Sequence, residues 1–232
     1  LSLSITPGLR TAPANAVTIC TAGVGTPAPV GTSGTSYDDG GWANLPIGFN
    51  FNFFGTNYST VNAGTNGNLM FGTFNATALA DFTFTTLPST TEPLNMVALL
   101  AMDNDLAGAT GGTVKYWTEG YSPNRKFIIS YENVKEYGDT KFSTFQGVFY
   151  ETTGVIEVHV ASSTNVDRNK VTGVNNGDGT IGVLAYASGT SATSGTSGTS
   201  GSSGTSGSSG TSGSSGTSGT SGTSGSSGTS GS

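Results

Sequence analysis

Side chains able to do chemistry are few and far apart in this chain. Its single histidine, His159, and its single cysteine, Cys20, are separated by most of the sequence. A Cys–His or Ser–His–Asp arrangement would hang on that one imidazole, with no Asp or nucleophile beside it in sequence. Glu132 and Glu157 could form the carboxylate pair of a glycoside hydrolase, but each sits in an alternating strand pattern whose ordinary occupant is an exposed charge. No catalytic residue is assigned, and the expectation is a protein without enzymatic activity.

One cysteine excludes an internal disulfide framework and a thiolate-rich zinc site. Cys20 reads as a small buried hydrophobe, or as a free thiol that pairs between subunits. Three acidic clusters raise the question of a metal: Asp38-Asp39-Gly40, Asp103-Asn104-Asp105 and Asn175-Asn176-Gly177-Asp178-Gly179. Asp103 and Asp105 resemble the start of a calcium loop, but no Glu stands at its twelfth position. Turn-forming Asp and Asn account for all three clusters. Calcium is the alternative, with Asp103, Asp105 and Asp178 as its candidates. Trp42, Trp117, Tyr116, Tyr121 and Tyr137 either form a sugar-stacking platform or belong to the core and rim of the fold.

Covalent glycans are the one modification the sequence suggests. The sequons Asn57-Tyr58-Ser59 and Asn75-Ala76-Thr77 each fit a turn and make Asn57 and Asn75 candidate N-glycosylation sites. A dense Ser/Thr array near the C-terminus is a richer substrate for O-glycosylation. Its candidates are Thr193, Thr196, Thr199, Thr205, Thr211, Thr217, Thr220, Thr223 and Thr229. No cofactor is expected.

The elements that would position these groups are strands. A period of two dominates from Trp42 to Tyr186, and no window carries a capped helical period. Strands are expected at Ile47 to Phe54, Thr60 to Ala63, Gly67 to Phe71, Met96 to Ala101, Gly112 to Thr118, Lys126 to Val134, Ser143 to Glu151, Val155 to Ala161 and Val171 to Val174. Gly- and Asn-rich turns such as Thr65-Asn66-Gly67 separate them. Phe145 to Val160 reads as an antiparallel hairpin turning at Glu151. Phe145, Val148 or Phe149, Ile156 and Val158 would form its buried face, Glu157 and His159 the wetter one, and Gly147 marks a bulge. Short strands at this spacing predict an all-β antiparallel sandwich, Ig-like or jelly-roll-like, over residues 42–187.

The two ends differ from this body. Residues 1–41 form a Pro-interrupted, Gly/Ala/Thr-rich arm with too little apolar surface to fold alone. Within it Leu1, Leu3 and Ile5 alternate like a strand. They serve either as the first strand of the sandwich or as an assembly strand pairing with the edge of a neighbouring subunit. Residues 188–232 are a tail built of thirteen unbroken Thr/Ser-Ser-Gly triplets from Thr193 to Gly231. Such a composition cannot form a core. Its period is that of a polyproline-II helix, which would extend the triplets over about 120 Å. The expectation is an extended, O-glycosylated, non-globular tail.

Composition bounds the partners. The chain has 232 residues, 37 Gly, 9% charged residues and a net charge of −6. Its few Lys and Arg do not cluster, so nucleic acid is a poor partner, and no apolar run approaches a membrane span. The chain opens at Leu1 without a basic-then-apolar leader, as a secreted protein would after processing.

The segment Ile47-Gly48-Phe49-Asn50-Phe51-Asn52-Phe53-Phe54-Gly55-Thr56-Asn57-Tyr58, followed by Gly64-Thr65-Asn66-Gly67-Asn68-Leu69-Met70-Phe71-Gly72, resembles secreted bacterial nidogen-like β-sandwich domains. The resemblance continues through Pro123 to Ile129, Phe145 to Val160 and Val174 to Thr180, and covers about residues 45–185. Where such domains usually carry a Trp-x-Asp stretch this chain has Met102-Asp103-Asn104-Asp105. The resemblance implies an extracellular, non-catalytic module of adhesion or surface structures. Together these readings favour a structural subunit of an extracellular filament or surface fibre. It would be a homopolymer assembled through its terminal segments. The alternative is a monomeric carbohydrate-binding or adhesin module on a Ser/Thr/Gly spacer.

Overall fold

A computed structural model describes residues 1–6, 8–21, 37–107, 112–163 and 169–187. In chain order the first strands are β1 (Ser2–Thr6), β2 (Val17–Thr21), β3 (Gly41–Phe53), β4 (Thr56–Gly64) and β5 (Asn68–Met70), followed by a one-turn helix α1 (Ala76–Leu79). Then come β6 (Met96–Ala101), β7 (Asn104–Asp105), β8 (Thr113–Glu119), β9 (Lys126–Glu136), β10 (Phe142–Tyr150), β11 (Val155–Ser163), β12 (Val171–Asn175) and β13 (Gly182–Ala187). They make two sheets. One runs β1-β11-β10-β9-β8-β2, with β7 also pairing β9; the other runs β13-β12-β6-β5-β4-β3. The fold is the all-β sandwich that the period-2 pattern predicts. Its pairings are antiparallel except that β1 lies parallel to β11.

Alternation explains the longest strand. Along β3, Leu45, Ile47, Phe49, Phe51 and Phe53 face inward, while Pro46, Gly48, Asn50 and Asn52 are exposed. Opposite them the sheet of β9, β10 and β11 supplies Phe127, Ile129, Tyr131, Phe145, Phe149, Ile156 and Val158. The rings interlock at the centre: Phe51 meets Phe149 edge-on at 5.3 Å, and Tyr131 stacks on Phe145 at 4.8 Å. The Tyr131 hydroxyl donates across the interface to Gly64 O at 2.7 Å, which satisfies the one polar atom that this ring brings into the core.

The hairpin of β10 and β11 departs from expectation at its bulge and its outer face, and of the alternatives Val148 and Phe149 it puts Phe149 in the core. Its bulge lies between Thr144 and Phe145, not at Gly147. Gly147 instead keeps strict alternation and faces the core, where a Cβ would stand 2.5 Å from Leu99 Cδ2. Val148 therefore belongs to the opposite face, packed with Trp117 and Ile128. That outer face is not wet. Residues 8–16 cross it as a strap, because β1 and β2 occupy opposite edges of the same sheet. Gln146 holds the strap in both directions, accepting from Arg10 N and donating to Arg10 O, each at 2.9 Å. Arg10 reaches Glu119 at 3.0 Å and the Tyr150 hydroxyl at 3.1 Å, and Ala12 and Ala16 pack over Trp117 and Val148.

The N-terminal arm is thus integral to this sheet through residue 21. Of the two places open to Leu1, Leu3 and Ile5, the edge of the chain's own sheet is the one occupied here. The tail candidates Thr193 to Thr229 lie outside the described residues.

Candidate functional site

One end of the sandwich gathers polar side chains that the sequence scatters over more than 130 positions. The turn between β4 and β5 is its anchor: Thr65, Asn66 and Asn68 are all fully buried. Gly67 has a φ of 78°, and a Cβ there would lie 2.9 Å from Phe145 Cζ. Only glycine tolerates both the left-handed backbone and that close approach. Asn66 then bonds outward in two directions. Its Nδ2 donates to Asp39 Oδ1 and to Asp81 O, each at 3.1 Å, and its Oδ1 accepts from Asn104 N at 2.8 Å. Thr65 Oγ1 accepts from Gly40 N at 2.9 Å and donates to Asp38 O.

These bonds draw the Asp38-Asp39 pair against Asp103. One carboxylate oxygen from each of the three lies within 4.8 Å of the others. Burial, reinforced by the charges of Asp39, Asp103 and Asp105, pushes the Asp38 carboxyl up to about 6. Three hard oxygen donors at this spacing suit a divalent cation that prefers oxygen. The calcium candidates read from the sequence are not brought together. Asp103 is in this cluster, whereas Asp105 turns to Lys135 at 3.8 Å. Asp178 sits in the turn between β12 and β13, where hydrogen bonds from Thr180 hold its carboxyl below the usual range.

A second polar group adjoins the first through β7. Asn104 pairs in register with Glu136 on β9, which puts both side chains on the inner face of the sheet. Lys170, just before β12, brings its Nζ to 2.9 Å from Glu136 Oε1 and donates to Ser163 Oγ at 2.6 Å. Lys170 and Glu136 are 1% and 0% exposed in their side chains. Asn104 is also fully buried, and its Oδ1 has no hydrogen-bond partner.

Elsewhere the chemistry-bearing residues are structural. His159 is under the strap, with Nδ1 2.6 Å from Gly8 O and Nε2 3.1 Å from Glu157 Oε2. Cys20 is fully buried on β2, and burial pushes its thiol up to about 11, which keeps it protonated and unreactive. Glu132 pairs with Lys115 at 2.8 Å, two strands away from Glu157. No catalytic arrangement is formed among these residues. The aromatic platform is not formed either: Trp42 and Trp117 are buried, while Tyr121 and Tyr137 are exposed on different turns. Asn57 and Asn75 are both exposed. Asn75 also caps α1, its Oδ1 accepting from Ala78 N at 3.1 Å. A depression of about 690 Å³ beside α1 is lined by Asn75, Asp81, Phe82 and Glu92.

Sequence reasoning did not find Asn66, Glu136, Lys170 or Arg10. Asn66 stood in a quoted motif but read only as a turn. The other three carry no local signal, since each is defined by partners on distant strands. Among the described residues no helix is long and apolar enough to cross a membrane. A family model described as NIDO related matches residues 19–218, from β2 through the sandwich and into the triplet tail. No curated protein and no solved structure matches the chain.

Proposed function

The chain belongs to the nidogen-related family, and from that premise we propose that it is the structural subunit of an extracellular fibre, assembled from copies of itself. The family is not an enzyme family, and nidogen-like domains are typically extracellular. The site geometry agrees with a non-catalytic role, because each of the groups best suited to catalysis is bound into a structural contact.

The observation that carries the assembly reading is the placement of β1. It closes the sheet by a single parallel pairing with β11 and joins the strap at Gly8, whose φ is 87°. Leu3 packs on the core, while Leu1 and Ile5 remain 52% and 44% exposed. The same edge of β11 would accept this strand from another copy. Exchange of β1 from one subunit to the next makes a head-to-tail contact that propagates instead of closing. In the fibre, the glycosylated Thr/Ser-Ser-Gly tail serves as an outer coat and spacer.

Deleting Leu1–Ile5 from the full chain tests this reading. Circular dichroism should still report a β fold, and electron micrographs should show monomers where the intact chain forms fibres. Fibres formed normally by the truncated chain would remove β1 as the coupling element. An intact chain that stays monomeric would favour the carbohydrate-binding module instead.

A further inference from the structure

We propose that Lys170 and Asn104 become joined by an intramolecular amide bond, formed inside the folded domain with Glu136 as proton shuttle. Glu136 on β9 links the other two groups: its carboxylate meets the Lys170 amine, and its register partner on β7 is Asn104, all three being buried. Two ladders place them. The pairing of Val171 with Ala101 sets Lys170 beside the chain leading into β7, and the pairing of Asn104 with Glu136 sets carboxamide and carboxylate side by side. Cross-strand neighbours of the latter kind have Cβ atoms about 5 Å apart. The four methylenes of Lys170 carry Nζ to 2.9 Å from Glu136 Oε1, and formation of the amide requires that it also reach Asn104 Cγ.

Burial makes the arrangement reactive. An ion pair with 1% and 0% exposed side chains has lost the water that would stabilise its charges. Moving one proton across the 2.9 Å contact leaves a neutral amine and a neutral acid, with net charge unchanged. The Nζ lone pair then attacks Asn104 Cγ. The acid form of Glu136 donates to Asn104 Oδ1, the buried oxygen that lacks a hydrogen-bond partner. As the tetrahedral centre collapses, the Cγ–Nδ2 bond breaks and the Nζ–Cγ amide remains. The protons released from Nζ leave with the departing nitrogen as ammonium, and Glu136 returns to the carboxylate. No oxidant, metal or cofactor enters the balance. The product is a neutral amide that links β7 of one sheet to the start of β12 of the other, replacing a buried ion pair.

Peptide mapping of the full chain by mass spectrometry tests the bond. The expected result is a branched peptide containing Lys170 and Asn104, lighter by one ammonia than the sum of its two linear parts. The Glu136→Gln variant should fold, as judged by circular dichroism, and give the two linear peptides at full mass. Linear peptides from the folded natural chain would overturn the proposal, as would a loss of one water joining Lys170 to Glu136. A cross-linked Glu136→Gln chain would overturn the role given to the carboxyl. The Lys170→Arg variant, which keeps the charge but lacks the nucleophilic amine, should also yield full mass.

Discussion

A methyl group at Gly147 would stand 2.5 Å from Leu99 Cδ2 and 3.2 Å from Phe149 Cε2, so the Gly147→Ala variant must displace the centre of the core. Overpacking of this kind costs about 1–3 kcal/mol, and urea denaturation should show a lower midpoint with an unchanged slope. Asp38 behaves oppositely, because here the natural residue is the strained one. Its carboxyl is pushed from 3.8 to about 6, chiefly by burial. Between those values the folded state holds a proton that the unfolded state releases, so stability falls as pH rises and the loss is complete above about 6. Thermal unfolding of Asp38→Asn should therefore show a flatter pH dependence across that window and a higher melting temperature than the natural chain at neutral pH. At this scale the sequence revealed residue types more readily than roles. The Asn66-Gly67 pair announced a turn, but nothing local signals that Asn66 bridges Asp39 and Asn104, whose positions lie 27 residues before it and 38 after it.

The strap shows how an element can be invisible to periodicity. Residues 8–16 have neither alternation nor a helical stripe, since they are held by side chains of the sheet beneath and not by a ladder. Gln146 is the fastening: fully enclosed, it bonds both backbone atoms of Arg10 and Ser130 Oγ. Substituting Gln146→Ala removes the partner of both backbone groups of Arg10, while Ser130 Oγ keeps Glu132, at a cost of roughly 1–3 kcal/mol. Hydrogen exchange should report lost protection at Arg10 while β9 and β10 stay protected; equal loss in all three would mean that the strap does not open by itself. Long strands such as β3, β9 and β10 were legible because both the alternation and the flanking turns are written locally, and β6 because it is a continuous apolar run. The short β2, β7 and β13 were not, because each becomes a strand only through the edge it meets. The reversed outer face of the β10–β11 hairpin has the same origin, since its cover comes from the other end of the chain.

At the scale of the whole molecule, the Ser/Thr triplets after the sandwich give the protein its second character. In the proposed fibre, sugars on these hydroxyls would offset the roughly 1 kcal/mol or more of backbone entropy per ordered residue that a bare Ser/Gly chain cannot recover. Intact mass spectrometry of the protein should give a ladder of hexose-sized additions that collapses on chemical deglycosylation to the mass of the bare polypeptide. A single species at the bare mass would end that idea. The strap also governs the order in which the domain can form. Both outer strands of one sheet come from the first 21 residues, yet their partners are β8 and β11, which end at Glu119 and Ser163. A ribosome delivers the N-terminus first, so these strands wait, unpaired, until most of the domain has been made. Loop closure over such separations is slow, and assembly of this sheet is confined to the end of synthesis or to a time after release. β1 therefore cannot pair within its own chain until β11 has been made, and during that interval a neighbouring chain can compete for the same place.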